Sequence, residues 1–272
     1  MEALPPYEVL MPLAPWEEPS VLAQALDTLV QQQPPAQRLV LSVDGLLPPE
    51  LRVVVERHWS LPVELLSGPG SEGVGLVLAR GLAACRCELI LRADADDLSL
   101  TDRAARQLRW MIEHPAVVAA SGWIDEFEGT PENVVGRRVV PTGKSVQSWA
   151  LWRNPINHPA VVLRRSAIVN VGGYRDQPGF EDYDLWLRLL HHFGPDSVDN
   201  TPEVIVHARV GSAHLMRRRG FSYLKAEVRF FWRCGEESFF KWHHVLTLIA
   251  IRSPWRLLPS SVMSILMKAL HS

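Results

Sequence analysis

Leu89-Ile90-Leu91-Arg92-Ala93-Asp94-Ala95-Asp96-Asp97 is an apolar run that ends in three carboxylates, with a single alanine between the first two. A strand that delivers Asp94 and Asp96 to its exit is suited to holding a divalent metal. Magnesium or manganese bound by one or two carboxylates keeps other positions for substrate phosphate oxygens, so the stretch suits a phosphorylated, nucleoside-diphosphate substrate. The same residues also suit a solvated acidic turn or an N-cap cluster ahead of a helix near Thr101. The surrounding sequence decides between them.

Upstream, apolar runs and amphipathic stretches alternate. Strands are expected over Tyr7 to Met11, Arg38 to Val43, Val63 to Leu66 and Glu88 to Ala93, with helices over Ser20 to Gln32, Pro49 to Trp59 and Val74 to Ala84. Such alternation implies an α/β fold with a largely parallel sheet covered on both faces. Ligands of such sheets sit beyond the strand C-termini. Three strand exits carry polar or turn residues, Pro12 to Trp16, Asp44-Gly45 and Asp94 to Asp97, and these are expected to converge on one crevice.

Downstream, a helix over Thr101 to Glu113 is stopped by His114-Pro115. A buried strand over Val117 to Ala120 leads into Trp123 to Phe127. Further strands are expected over Val134 to Val140, Ala160 to Leu163 and Val204 to His207, with helices over Ser145 to Trp152 and Asp182 to His191. The last of these begins Gly179-Phe180-Glu181-Asp182-Tyr183-Asp184-Leu185-Trp186, which places acidic groups at the positive end of a helix macrodipole. That setting suits plain capping. It also keeps a carboxylate ionised, as a general base must be before it takes a proton from an attacking hydroxyl. A metal site on one side of a cleft and an ionised carboxylate on the other is what direct displacement at a sugar carbon needs.

His158, on the Pro-flanked stretch Asn154-Pro155-Ile156-Asn157-His158-Pro159, is a candidate for the acceptor side, and Trp186 a second. His207 is a candidate third metal ligand, because neutral imidazole binds such metals. Arg80 and Arg92 are candidates to neutralise phosphate or contact the base. For each of these the bland alternative, a structural imidazole or a surface charge, stays open.

The 272 residues are 47% hydrophobic and 21% charged, ordinary values for a folded chain that exclude disordered and collagen-like classes. The net charge of −2 hides an asymmetry: from Ile205 onward eleven Lys or Arg stand against three Glu. A basic tail on an acidic body points to an anionic surface. Interleaved aromatics (Phe230, Phe231, Trp232, Phe239, Phe240, Trp242, Trp255) favour membrane lipid over nucleic acid, although a helical subdomain with its aromatics packed inward reads almost as well. Helices in this region are expected to break at Gly235, Pro254 and Pro259. Its longest apolar run, Val245 to Ile251, is far short of the about 20 residues that cross a bilayer. No basic n-region with an apolar h-region opens the chain, so no secretory signal is expected. Cys85, Cys87 and Cys234, an odd count without metal-type spacing, argue for a reducing compartment.

Together these motifs resemble family-2 glycosyltransferases of the GT-A fold. The resemblance rests on Met11-Pro12, Val43-Asp44-Gly45, Leu78-Ala79-Arg80-Gly81-Leu82, Arg92 to Asp97, Gly122-Trp123-Ile124, Asn154 to Pro159, Gly172-Gly173-Tyr174 and Glu181 to Arg188. Val210-Gly211 and Arg217-Arg218-Arg219-Gly220 further resemble a bacterial subgroup that builds capsule, exopolysaccharide and lipopolysaccharide units. The resemblance implies a Rossmann-like GT-A domain over 1–210 (donor half about 1–128, acceptor half about 129–210) and a helical basic region over 211–272. It implies a nucleotide-sugar donor, usually UDP-based, a Mn or Mg ion, and inversion at the anomeric carbon. By motif position, Asp94 contacts ribose or metal and Asp96 the metal. Asp44 reads the uracil edge, Asp182 of the Glu181-Asp182 pair is the base, and Pro12, Arg80, Arg92 and Ala95 line the donor site. Leu13-Ala14-Pro15-Trp16 departs from the family, which commonly shows a Tyr-Asn type pair there.

The acceptor is then a glycan or lipid-linked glycan, and the chain is expected in the cytoplasm, peripheral on the cytoplasmic face of the inner membrane, with no nucleic-acid partner. Two other functions compete. A sugar-1-phosphate nucleotidyltransferase would want a Gly-rich phosphate loop after the first strand, which Pro12 to Trp16 does not supply. A non-catalytic nucleotide-sugar-binding module would keep the crevice without turnover. The sequence does not specify the sugar, the linkage or the oligomeric state.

Overall fold

The computed structural model describes residues 4–211, 220–253 and 256, which fall into two units, Met1–Val210 and Gly211–Ser272. The first unit is built on a nine-stranded sheet of order β3-β2-β1-β4-β8-β6-β9-β5, with β7 branching from β6. Its N-terminal side is β1 (Tyr7–Leu13), β2 (Leu39–Val43), β3 (Val63–Ser67) and β4 (Leu89–Arg92), all parallel. Residues of β1 and β2 are buried on both faces, which is why they read as continuous apolar runs.

Alternate residues divide the layers. Tyr7, Val9, Met11 and Leu13 share one core with α1 (Pro19–Val30), α2 (Pro49–His58) and α4 (Arg103–Glu113). The opposite face takes α3 (Val74–Ala84), where Gly81 has no room for a side chain: a Cβ there would come within 2.4 Å of Leu10 Cδ1. Helices therefore cover both faces, as the alternating pattern implies.

Beyond β4 the sheet becomes mixed. β8 (Val162–Arg164) pairs antiparallel with β4 and β6 (Ala119–Phe127), while β9 (Val198–Arg209) runs parallel to β6. β7 (Val134–Arg138) folds back on β6, fixed by Arg137–Asp125 and Arg138–Glu126 pairs. The two strand pieces expected over 117–127 form one strand. The short strand expected over Val204 to His207 is the end of a twelve-residue one. Two-residue β5 (Leu98–Ser99), directly after the aspartates, pairs with β9 and pins the acidic turn to the second half of the sheet. Helices α5 (Ser145–Ala150), α6 (Arg165–Asn170) and α7 (Glu181–Phe193) complete the unit.

The second unit contains α8 (Gly220–Glu236) and α9 (Trp242–Arg252). Phe230, Phe231 and Phe240 are buried there, whereas Trp232 and Trp242 are exposed, so its aromatics are split between packing and surface. Among the described residues no helix is long and apolar enough to cross a membrane. Arg217 to Arg219, Pro254, Trp255, Pro259 and Lys268 lie outside the described residues.

Candidate active site

β1, β2 and β4 are parallel neighbours, so their C-terminal ends open on one edge of the sheet. The loops that leave them meet: a Cβ built on Gly45 (φ +121°) would lie 3.7 Å from Gly70 and 4.0 Å from the Pro15 ring. The charge of Glu17, in the loop after β1, reaches Asp96. Asp44 accepts the N–H of Glu72 at 3.0 Å, while Arg80 donates to the Glu72 carboxylate (2.6 Å) and to the Val43 carbonyl (2.7 Å). Asp44 and Arg80 thus belong to one network that shapes the loop after β3. Pro12 is half-buried at the end of β1, and Trp16 stands 70% exposed on the loop beyond it.

Carboxylate oxygens of Asp94, Asp96 and Asp97 all lie within 4.8 Å of one another. Burial, then the Asp94 and Glu17 charges, push the Asp96 carboxyl up to about 6; Asp97 is driven upward by burial, Asp94 and Asp96. Crowded like charges that resist ionisation are stabilised by a cation, and an all-oxygen donor set fits Mg or Mn. The residues present therefore fit such an ion. Asp97 is buried and accepts the backbone N–H of Arg209 at 3.0 Å, so it fastens β9 to the acidic turn.

His207 lies elsewhere, opposite Leu98 in β5 and Asp125 in β6, and its charge acts on Asp125 and Glu132. It is outside the aspartate cluster. Ala95 is 5% exposed and belongs to the apolar core, so its side chain is not an open lining of the crevice. Arg92 is not the open phosphate ligand expected: it is 3% exposed and donates to Asp94 at 2.5 Å. Buried Arg103 supports it, donating to the Arg92 carbonyl at 2.6 Å and to Ser99 at 3.0 Å.

On the other side, α7 opens with Glu181, Asp182 and Asp184 in its first turn. Asp184 is structural. It pairs with Arg188 at 2.8 Å, and that guanidinium also donates to the carbonyls of Val171 and Gly173, setting the approach to Tyr174. Asp182 accepts the Asn154 side-chain N–H at 2.6 Å and the Tyr183 N–H at 2.7 Å, and its side chain is 17% exposed. The Tyr183 hydroxyl in turn donates to the Ala150 carbonyl, so residues 150 and 154 are both tied to the turn that carries Asp182. Glu181 Oε2 is buried without a hydrogen-bond partner, and burial together with the Asp182 charge raises that carboxyl to about 7.

His158 bonds the Tyr174 hydroxyl at 2.9 Å, with Nδ1 3.9 Å from Asp182. Burial and then Arg92 hold its imidazole well below its usual range, hence neutral. Trp186, expected on the acceptor side, is fully buried and packs edge-on beneath His158 at 5.9 Å. Its large ring fills the core under the site and reaches no acceptor.

Two residues join the halves. Arg92, bonded to Asp94, also acts electrostatically on Asp96, Asp97, Glu181 and His158. Tyr174 is perturbed, after burial, by Arg92, Asp182, Glu181 and Asp94. The two carboxylate clusters, far apart in sequence, therefore stand around one locus. Asn154 and Tyr174 lie in motifs that carry the resemblance but were given no role, and Glu72 and Arg103 take parts that no local pattern announced. For Asn154 the only signal is its place in the Pro-flanked stretch before His158.

A parallel sheet that gathers three loops over an aspartate cluster, with a second carboxylate pair facing it, is the architecture of a GT-A nucleotide-sugar transferase. The Glycosyl transferase family 2 model matches residues 16–173, and the chain belongs to that family. It is 33% identical over 227 residues to the amylovoran biosynthesis glycosyltransferase AmsE of Erwinia amylovora, covering 83% of this chain and 84% of AmsE. It is 30% identical over 259 residues to the UDP-Gal:alpha-D-GlcNAc-diphosphoundecaprenol beta-1,3-galactosyltransferase of Escherichia coli, covering 94% and 93%. The mannosyltransferase PcManGT of Pyrobaculum calidifontis, solved with GDP-Man and Mn2+, shares the fold at a TM-score of 0.66 and 18% identity, covering 98% of this chain and 81% of that one.

Proposed function

We propose that the protein is an inverting transferase that moves a sugar from a nucleoside-diphosphate donor, UDP-linked, to a hydroxyl of a lipid-diphosphate-linked glycan in bacterial surface-polysaccharide synthesis. The observation that carries it is that Arg92, hydrogen-bonded to Asp94, and Tyr174, hydrogen-bonded to the His158 that lies 3.9 Å from Asp182, feel charges of both carboxylate clusters. The two bacterial relatives support the substrate class, one by its role in amylovoran biosynthesis and the other by its UDP-Gal donor and diphosphoundecaprenol acceptor.

In this reading Asp94 and Asp96 hold Mn or Mg, which supplies charge stabilisation to the departing diphosphate. Asp44 and the Arg80–Glu72 network frame the nucleoside pocket. Asp182, oriented by Asn154, accepts the proton of the acceptor hydroxyl as that oxygen bonds the anomeric carbon. The bond from this carbon to the diphosphate oxygen breaks on the opposite face, and no covalent enzyme intermediate forms. The neutral His158, hydrogen-bonded to Tyr174, fixes the wall beside Asp182. Residues 151–153, held between the anchors at 150 and 154, present half-exposed Trp152 next to the base as an acceptor lip.

The test is a panel of UDP- and GDP-sugars with a synthetic GlcNAc-diphosphate-lipid acceptor and Mn2+. Transfer from a UDP-sugar that Asp182→Asn abolishes, with donor binding by thermal shift retained, supports the reading. Donor binding without turnover in the wild type, across acceptors, would return the protein to a binding role.

A further inference from the structure

α8 carries two apolar stripes that point in different directions. One, Phe230, Phe231 and Cys234, is buried inside the second unit. The other is Phe221, Leu224, Val228 and Trp232, spaced three or four residues apart and so aligned along one side of the helix. This side lines an open groove. Phe221 is 74% exposed and Trp232 49%, an arrangement foreign to a packed helix. The surface continues onto α9: the Trp232 and Trp242 rings meet edge to face at 5.0 Å, and Leu246 and Ile251 are both exposed.

The charges are sorted as well. Lys225 and Arg229 flank the exposed stripe and are themselves exposed. Glu227, one helix face away, is fully buried and neutralised by Arg256 at 2.9 Å and Arg252 at 3.4 Å. Glu236, at the far end of the groove, accepts the Trp232 indole N–H at 3.1 Å. An exposed apolar stripe edged by cations and ending in tryptophans is the pattern of a helix that lies in a bilayer interface. We infer that this face of α8 docks on an anionic lipid surface, with Phe221, Leu224, Val228 and Trp232 below the headgroups and Lys225 and Arg229 among the phosphates.

A second copy is the poorer occupant, because a twofold contact through this stripe would bring the same cations towards each other. Among the described residues neither helix is long and apolar enough to cross a bilayer, so the contact is in-plane.

Co-sedimentation of the full chain with vesicles of phosphatidylcholine, alone or with phosphatidylglycerol and cardiolipin, tests this without relying on turnover. Binding is expected to rise with anionic lipid and fall with salt. Phe221→Ser with Trp232→Ser, and separately Lys225→Glu with Arg229→Glu, should each weaken partition by about tenfold or more, with thermal midpoint and Mn2+-dependent donor binding unchanged. Wild-type partition in both double variants overturns the inference, as does equal binding to neutral vesicles. A monomer–dimer equilibrium that the serine pair abolishes while vesicle binding persists also overturns it, in favour of a second copy. Donor binding that fails in the wild type counts against the catalytic reading and leaves the vesicle result standing.

Discussion

Asn154→Ala removes the side-chain contact proposed to orient Asp182, together with one local hydrogen bond. The Asn154 amide donates to Asp182 at 2.6 Å and its carbonyl oxygen accepts the Ile156 N–H at 3.2 Å. A hydrogen bond to a charged group is worth about 1.5–3 kcal/mol. If Asp182 must point at the acceptor hydroxyl in the transition state, losing it lowers kcat roughly ten- to 150-fold, at 1.36 kcal/mol per tenfold. Donor KM should stay within about twofold, since among the described residues the side-chain hydrogen bonds of Asn154 run to Asp182 and Ile156. Asn154→Asp gives a different signature. Two carboxyls at hydrogen-bond distance share a proton, so the pair ionises at higher pH and the acid limb of the kcat profile moves up. Steady-state kinetics from pH 5.5 to 9 with the UDP-sugar found active, alongside thermal melts to confirm folding, reads both. Asn154→Ala with kcat within twofold of wild type, while Asp182→Asn is inactive, would refute the positioning argument.

Asp96→Asn removes a carboxyl that burial, and then the Asp94 and Glu17 charges, raise to about 6; the metal-free variant should melt at or above wild type and lose the Mn2+-induced rise in Tm. Because the folded-state value of Asp96 is raised, its ionisation destabilises the fold: metal-free stability should decline as pH rises from about 4 through about 6, and Mn2+ should raise Tm more at pH 7.5 than at pH 5. Burial would raise Glu8, but hydrogen bonds from Arg38 and from the N–H groups of Cys87 and Arg86 outweigh it and hold the carboxyl below its usual range. Its contribution is therefore complete above the unfolded value and lost as pH falls through the folded one. Glu8→Ala, which leaves Arg38 to Glu64 and the Ala84 carbonyl and strands the Arg86 and Cys87 N–H donors, should cost about 1–3 kcal/mol in urea unfolding. In the first turn of α3, a Cβ at Gly75 would fall 2.5 Å from the Arg175 carbonyl and 3.1 Å from Glu181 Cβ. Gly75→Ala should cost about 1–3 kcal/mol of stability and lower kcat more than donor binding, by displacing the turn that carries Asp182.

The donor half was legible because burial on both faces leaves continuous apolar runs, and β1, β2 and β4 announce themselves in that way. β9 was half hidden. Asp199-Asn200-Thr201-Pro202-Glu203 lies outside the strand expected over Val204 to His207, yet Asn200 and Thr201 are buried and their polar atoms satisfied: Asn200 donates to the Pro141 and Pro155 carbonyls at 2.7 and 2.9 Å, and Thr201 to Ser121. A strand held by side-chain hydrogen bonds carries no period-two hydrophobic signal. β5 is too short for any pattern. At the site, Asp94, Asp96 and Asp182 were readable as residue types in context, but the bond from Asn154 to Asp182 spans 28 positions and depends on where the chain returns. The acceptor role expected of Trp186 failed because helical periodicity shows which face is apolar and not how deep it lies.

The reading of Arg92 as an open phosphate ligand erred for a related reason, and the correction explains the site's electrostatics. A buried guanidinium is tolerable only beside anions. Asp94 lies against it, and Asp97, Asp96 and Glu181 are within its field. Arg103, itself lowered to about 10 by burial and by Arg92, is the second buried cation. Burial first, and then the neighbouring carboxylates, raise Asp96, Asp97 and Glu181, so the pocket resists holding all of its carboxyls ionised at once. A donor diphosphate entering that pocket adds charge of the same sign. If the proposed reading holds, a divalent ion entering with the donor would offset that repulsion, and donor affinity should then depend on Mn2+ as well as turnover.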